Sequence, residues 1–205
     1  MNVRFPHGVP QNILSMVLLG LWLSSCQTIT LNTLPAVPTH RMLPYSVALE
    51  VTSLNIYWVE PGAGTWPLPP LRHYVTTRPP SATLDKAQWK DVLIDYLNDR
   101  KTFQHLVKDG DKADLILDLR VHLFVDPGAS FKFDYNYWAH IDGIVKITQY
   151  DREVARQTGF GKAHGNMTQS SAKDELFLNK AVFQALDVLI TRLETDRQLH
   201  PSSLS

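Results

Sequence analysis

The sequence is short of cysteine and of net charge. Its 205 residues include one Cys, and 20 basic and 20 acidic side chains give a formal net charge of +0. A lone cysteine forms no internal disulfide, so the fold must be stable on its core alone, even in an oxidising compartment. Balanced charge argues against a nucleic-acid-binding protein, which normally carries a basic excess. With 44% hydrophobic and 20% charged residues, the composition is that of an ordinary globular protein.

Motifs of catalysis and cofactor binding are also absent from the sequence. It contains no GxSxG elbow and no HExxH. "GFGKAHG", residues 159–165, has the spacing GxGxxxG, which is not that of a dinucleotide loop, so its glycines are predicted to be packing and turn positions. "EPGAG", residues 60–64, precedes prolines and no helix, which excludes a phosphate loop. The sequence therefore predicts no enzyme, no cofactor, and neither catalytic nor metal-binding residues.

The N-terminal apolar run is too short to span a membrane. "ILSMVLLGLWL", residues 13–23, numbers eleven residues, whereas a membrane-spanning helix needs about 20. The run ends in "LSSC", residues 23–26, which resembles the lipobox of bacterial lipoproteins. The resemblance implies cleavage of a signal peptide between Ser25 and Cys26 and lipidation of Cys26 with palmitate-type chains. The alternative, a buried core helix, leaves the position of the only cysteine unexplained.

The same resemblance implies a cellular address. In Gram-negative lipoproteins, Asp after the lipidated cysteine usually signals retention at the inner membrane, and here the residue is Gln27. The resemblance therefore implies a protein that is lipid-anchored in the outer membrane and faces the periplasm. The inner membrane is the alternative.

Proline content predicts the domain boundaries. Residues 27–44 hold three Pro and four Thr, which is typical of an extended tether. Residues 60–80 hold six Pro and two Gly, which excludes a helix or a central strand. The prediction is a signal peptide over 1–25, a lipidated Cys and tether over 26–44, one α+β domain over 45–198 and a frayed tail over 199–205.

In the remaining segments, apolar residues recur with the spacing that is typical of strands or of helices. Strands are predicted over residues 45–59, 113–125, 131–150 and 154–164, and helices over residues 84–100, with Asp85 as its cap, and 171–197. The order β-α-β-β-β-α predicts an α+β fold. Its antiparallel sheet would have about four strands, with both helices packed on one face.

The stretch "FKFDYNYW", residues 131–138, places four aromatic side chains on one parity. A five-residue loop before it would set Tyr135 opposite Val121 and Tyr137 opposite Leu119, so that apolar side chains share a face. The stripe is therefore predicted to be core under the helices. Phe131 and Phe133, at the hairpin tip, remain candidates for contact with a partner or lipid.

The next hairpin is predicted to turn at Asp151 and Arg152. That turn would place Phe160 opposite Gly143, and an aromatic ring that covers a strand glycine is stabilising.

Two further groups of residues are candidates for function. The aromatic-rich loop offers a contact surface for a partner or lipid, formed by Tyr57, Trp58, Trp66 and Tyr74. The strand histidines His122 and His140, with Asp118, Asp134 and Asp142 nearby in sequence, are the candidates for a metal-binding or hydrolytic site.

The domain pattern over residues 45–195 resembles YajG-like lipoproteins and the auxiliary lipoproteins of lipid-trafficking ABC transporters. The resemblance is carried by "LSSC", "ADLILDLRV", "YWAHIDGIVKITQYDRE" and the long last helix. It implies a non-enzymatic accessory or binding component of an envelope transport or assembly system, with an envelope protein partner. Two alternatives stay open: a small periplasmic hydrolase or metal-binding protein, and a structural lipoprotein that self-associates as a homo-oligomer.

Overall fold

A computed structural model describes residues 27–32, 34–35, 37, 39, 41–58, 82–107, 112–126, 134–166 and 172–200. The predicted signal peptide lies outside these ranges, and so do several predicted site residues, namely Ser25, Cys26, Trp66, Tyr74, Phe131 and Phe133. Within the ranges, no helix combines the length and the apolar character that crossing a bilayer requires.

The described ranges contain seven β-strands and two α-helices. In chain order they are β1 Gln27–Ile29, β2 Leu43–Trp58, β3 Ala82–Leu84, α1 Lys86–Arg100, β4 Phe103–Val107, β5 Leu115–Asp126, β6 Asp134–Ile147, β7 Arg152–Asn166 and α2 Ala172–Thr195. The α+β class is confirmed, and both helices lie close to their predicted bounds.

The main sheet differs from the predicted one. It has five strands in the order β4-β2-β5-β6-β7, while β1 and β3 pair separately. β2 runs parallel to β4 and to β5, and only the β5-β6 and β6-β7 pairs are antiparallel. The prediction of an antiparallel sheet of about four strands is therefore matched only roughly, because the sheet is mixed and has an additional edge strand.

The sequence did not predict strand β4, because the strand is short and most of its side chains are not fully buried. Phe103 is buried, whereas Gln104 and His105 are exposed. The path from β2 through α1 to β4 is nevertheless a crossover, and only such a connection lets consecutive neighbours run parallel. In a simple meander β2 would run antiparallel to its neighbours. Because of the crossover, it runs parallel to them.

Both helices pack on one side of the sheet, which is called the helix face below. α1 lies on β2 and β4, and α2 lies on β6 and β7. The helix-face side chains of the central strands are buried, among them Val47, Leu49, Leu54, Ile56, Leu115, Leu117, Leu119, Val121, Leu123, Ala139, Ile141 and Val145. A β-bulge between Val51 and Ser53 changes the parity that faces the helices in β2. The other side, the open face, is covered by no described α-helix.

The hairpin of β5 and β6 keeps the predicted faces but not the predicted register. Tyr137 is fully buried, and its ring stacks on Phe177 of α2 with centroids 5.5 Å apart. Its strand partner is Val125, and Leu119 pairs with Gly143. The predicted partners were therefore wrong by an even number of positions. An even shift leaves every side chain on its own face, so alternation alone does not detect it.

The register of the second hairpin was also wrong. Phe160 pairs with His140, and Gly143 pairs with Gln157. The 3-10 helix Thr148–Tyr150 lengthens the connection beyond a two-residue turn. Phe160 consequently lies on the open face and does not cover Gly143.

Two glycines of β7 let α2 approach the sheet backbone. A Cβ built on Gly159 would lie 1.8 Å from the carbonyl oxygen of Ala185, and one on Gly161 would lie 1.8 Å from that of Ala181. No side chain fits at either position, and a strand glycine of this kind marks close approach by another backbone. The predicted packing role of these glycines is confirmed.

The predicted cap of α1 is present. The Asp85 carboxylate accepts hydrogen bonds from the backbone N–H of Ala87, at 2.9 Å, and of Gln88, at 3.3 Å. These bonds satisfy donors that the first helical turn leaves without an intrahelical partner.

We expect Asp85→Ala to lower the free energy of unfolding by about 1 kcal/mol, because an N-cap of this type contributes about 0.5–2 kcal/mol. Urea denaturation of the purified chain would measure the loss. Asp91→Ala, at an exposed interior position of α1, is the control and should leave stability nearly unchanged. Equal effects of the two substitutions would contradict the capping role.

The described residues of the stretch predicted as a tether pack against the domain. Leu31 and Leu34 are only 2% and 5% exposed and belong to the core. Hydrogen bonds join this stretch to α2 at three places, from the backbone N–H of Thr30 to Glu175 at 2.9 Å, from that of Asn32 to Asn179 at 3.0 Å, and from the hydroxyl of Thr39 to Glu194 at 2.9 Å. Thr30 and Asn32 are therefore bound to the first turns of α2, and Thr39 is bound to its last turn.

Candidate functional site

The open face carries its side chains in cross-strand rows, because residues opposite each other in paired strands point to the same side. The tip end of the sheet is defined as the end where β2 and β5 finish and β6 begins. Inward from the polar pair Asn136–His164, which lies at the tip, three rows follow: Tyr57–Phe124–Trp138–Lys162, Asn55–His122–His140–Phe160 and Ser53–Arg120–Asp142–Thr158. Three of the four side chains in each of the first two of these rows are aromatic, and the third row is charged or polar.

The aromatic side chains of the first two rows form one continuous surface. The aromatic surface, as it is called below, comprises Tyr57, His122, Phe124, Trp138, His140 and Phe160. The ring of Tyr57 stacks on that of Phe124 with centroids 5.1 Å apart. A shallow cavity of about 360 Å³ is lined by Phe124, Trp138, His140 and Phe160. Phe160 is 56% exposed.

The two histidines of this surface sit side by side on neighbouring strands. Their ring centroids are 6.3 Å apart, and His122 Nδ1 lies 3.3 Å from the hydroxyl of Tyr57. Burial lowers the pKa of His122, the neighbouring His140 lowers it further, and Asp142 opposes these effects in part. His122 therefore tends to stay uncharged, and the middle of the surface remains weakly polar.

The opposite half of the open face is charged, and its charges are paired. The hydroxyl of Thr158 donates to Asp142 at 3.0 Å, and that of Thr52 donates to the buried carboxylate of Asp118 at 2.5 Å. Arg156 is paired with Glu153 at 2.7 Å. Inward from the polar pair Asn136–His164 at the tip, the open face thus changes from aromatic to charged.

Sequence analysis anticipated one member of the aromatic surface as a contact residue. Tyr57 is half-buried and stacked in this surface. Trp58 ends β2 directly beside it. The predicted set did not include Phe124, Trp138 or Phe160. In the sequence, these three residues alternate with the buried residues of their strands. This alternation was the signal that could have identified them as lying on the other face.

The candidates for a metal site come together only in part. His122 and His140 are neighbours, and His140 Nε2 lies 3.7 Å from Asp142. Asp118 is held by Thr52. Across the residues whose placement is described, no three His, Cys, Asp or Glu side chains form a group that could hold a metal ion.

The long edge strand β7 is partly blocked against further pairing. The side chain of Arg192 donates to the carbonyl oxygen of Thr158 at 2.6 Å, and the backbone N–H of Lys162 donates to Gln184 at 3.0 Å. Side chains of α2 therefore form hydrogen bonds with backbone groups on the outer edge of β7. An edge covered in this way is a poor template for pairing with a second copy.

Comparison with known proteins identifies no family for the chain. No family model matches it, and no curated protein matches it.

Three solved bacterial structures have partial likeness to the chain. A Xanthomonas campestris protein of the family DUF330 has TM-score 0.48 at 12% identity, over 82% of this chain and 92% of that one. A neuraminyllactose-binding hemagglutinin homologue from Helicobacter pylori has TM-score 0.44 at 12% identity, over 80% and 93% of the two chains. A hypothetical protein from Chlamydia trachomatis has TM-score 0.44 at 9% identity, over 74% and 96%. Scores of this size carry no argument about function.

Proposed function

We propose that this chain is a lipid-anchored outer-membrane protein that faces the periplasm and acts as a non-enzymatic binding component of an envelope transport or assembly system. The anchor is Cys26, by its resemblance to a lipobox. The contact surface is the aromatic surface of the open face, to which the predicted contact residue Tyr57 belongs.

The single observation that carries this proposal is the contiguity of the aromatic surface. Apolar side chains that are scattered singly over a protein need no explanation, whereas a contiguous exposed patch marks an interaction site. Tyr, Trp and Phe are enriched where proteins make contacts. Here Phe160 is exposed and Phe124 and Trp138 are half-buried. All three lie on the side of the sheet opposite the helices, outside the core that stabilises the fold.

Neither alternative function has an observation of comparable weight. The hydrolytic or metal-binding alternative rests on His122 and His140, which share a surface but gain no third ligand among the described side chains. Self-association through the sheet edge is opposed by the bonds that Arg192 and Gln184 make to β7.

The proposal predicts a position-dependent cross-link in cells. A photoreactive benzophenone amino acid in place of Phe160 should give a discrete adduct, with a protein or a phospholipid, because that position lies in the contact surface. Tyr150, which is 68% exposed at the opposite end of the sheet, is the matched control and should give little or none. Gel shift and mass spectrometry of the purified adduct are the measurements.

The anchor is tested on its own with Cys26→Ser. The substituted protein should leave the outer-membrane fraction, since the thioether that carries the lipid no longer forms. Unchanged fractionation, or adducts of equal yield at positions 150 and 160, would contradict the proposal.

A further inference from the structure

The described residues of the N-terminal stretch lead towards one end of the domain when they are followed back from Thr39 to Thr30. Thr30 is bonded to Glu175 in the first turns of α2, and Thr39 is bonded to Glu194 in its last turn. The stretch therefore runs in the same direction as α2, and residues before Thr30 lie towards the helix N-terminus. Cys26 precedes Thr30 by four residues, which span at most about 14 Å of extended chain. The proposed anchor is thus attached at the end where α2 begins.

That end is the tip end of the sheet. Phe177, in the first turns of α2, stacks on Tyr137 near the start of β6. The same ring fills the space above Gly165 near the end of β7. At the other end of α2, the side chain of Arg192 bonds to Thr158 in the first half of β7. The first turns of α2 and the aromatic surface therefore share the tip end, on opposite faces of the sheet.

The polarity of the open face changes along the same axis. Next to the polar pair Asn136–His164 at the tip lies the row that contains Phe124 and Trp138. The row that contains Phe160 follows, and the row of Arg120 and Asp142 lies beyond. The aromatic side chains thus lie in the half of the open face nearer the proposed anchor, one row in from the tip. Paired charges are concentrated farther from it.

We infer that the aromatic surface lies in the headgroup region of the bilayer that holds the Cys26 anchor, and that the occupant of the open face is therefore a lipid surface. This inference rests on the proposed anchor. Trp and Tyr rings favour the membrane–water interface because one part of each ring system is apolar and another part forms hydrogen bonds. A second, weaker contact beside a lipid anchor fixes the orientation of the domain as well as its attachment.

Two features favour lipid over a protein partner. The bonds of Thr30 and Asn32 to α2 leave little free chain between the domain and the anchor, so the tip end is held near the bilayer whatever else binds. Lys162 is exposed in the row of Trp138, and anionic headgroups attract a cation at this position.

The experiment measures depth in the bilayer. The full lipoprotein with Phe160→Cys is purified from cells, labelled with an environment-sensitive fluorophore, and reconstituted in vesicles of phosphatidylethanolamine with a minor share of phosphatidylglycerol. Quenching by lipids that carry a spin label on the headgroup should be several-fold stronger than with Tyr150→Cys, the control at the opposite end. Lys162→Cys is a second probe of the tip end, in case the ring of Phe160 is needed for folding.

The outcomes separate this inference from the proposed function. Mass spectrometry of the same preparation reports whether Cys26 is acylated. Acylated protein whose labels at positions 160 and 162 are quenched no more than the label at 150 overturns the membrane contact and leaves the anchor standing. Protein without acyl mass overturns the anchor and the inference together. A different outcome is that the labels at positions 160 and 162 are shielded in native membranes but not in pure lipid vesicles. That result identifies a protein partner and also overturns the lipid assignment.

Discussion

Arg100→Ala is expected to destabilise the fold by about 3–5 kcal/mol, because it leaves a buried carboxylate without its counter-charge. Arg100 and Glu194 are 1% and 0% exposed and join the end of α1 to the end of α2. The guanidinium donates to the carboxylate of Glu194 through Nε at 2.8 Å and Nη2 at 3.1 Å, and to Asp187 at 2.5 Å. Burial by itself lowers the pKa of Arg100, but the bonds to Glu194 and Asp187 outweigh it and raise the pKa above its ordinary value. Arg100 is therefore charged in the folded state.

The same carboxylate also binds the N-terminal stretch. Thr39 donates to Glu194 at 2.9 Å, and Thr102 donates to it at 3.0 Å. One buried ion pair therefore holds two helices and the N-terminal stretch together, and its loss should weaken the packing of all three. Urea denaturation of the purified protein would measure the change in free energy of unfolding.

Two variants make this prediction specific. Arg156→Ala removes an exposed ion pair with Glu153 and should have little effect, since solvent already screens that pair. The double substitution Arg100→Met with Glu194→Leu should recover a large part of the loss, because replacing both partners of a buried pair removes the stranded charge. A loss for Arg100→Ala no larger than for Arg156→Ala would contradict the role assigned to this pair.

Gly161→Ala is expected to cost about 3 kcal/mol, at the upper end of what overpacking a core costs. The added methyl group would lie 1.8 Å from the carbonyl oxygen of Ala181 and 2.7 Å from the backbone nitrogen of Ala185. Both atoms belong to the backbone of α2, so relief requires that the helix move away from β7. Thermal and urea unfolding would show the loss as a lower midpoint.

Gly143→Ala is the matched control on the same face of the sheet. There the new methyl group meets the end of the Leu189 side chain at 3.0 Å, and a side chain of this kind can adjust. We expect a loss of less than about 1.5 kcal/mol, as for tolerated core changes. Equal losses at positions 143 and 161 would refute the close backbone contact between α2 and β7.

Local features of the chain were predictable where one residue's neighbours in sequence decide the outcome. Asp85 caps α1 because its carboxylate reaches the N–H groups that follow it directly. Tyr137 was assigned to the core because alternation along one strand determines which side each residue faces. The packing role of Gly159 and Gly161 was likewise predicted from the sequence, but the sequence did not predict which helix contacts them.

Pairing between distant segments was not predictable in the same way. The register of β5 and β6 was off by an even number of positions because each side chain still faced the same way, and a pattern of faces does not distinguish such registers. The direction of β2 was also wrong. Its two parallel neighbours follow from the crossover through α1, and the short strand β4 carried too few apolar residues to reveal it.

By itself, the sequence determined the α+β class, the cap of α1, and which side chains of each strand point together, because these depend on the intrinsic alternation and hydrogen bonding of short segments. Only the tertiary structure decided that Tyr57, Phe124, Trp138 and Phe160 form one surface, since they come from four strands that are brought side by side by long-range pairing. It also decided that the N-terminal stretch lies along α2. The buried leucines Leu31 and Leu34 find their apolar partners only in the assembled core.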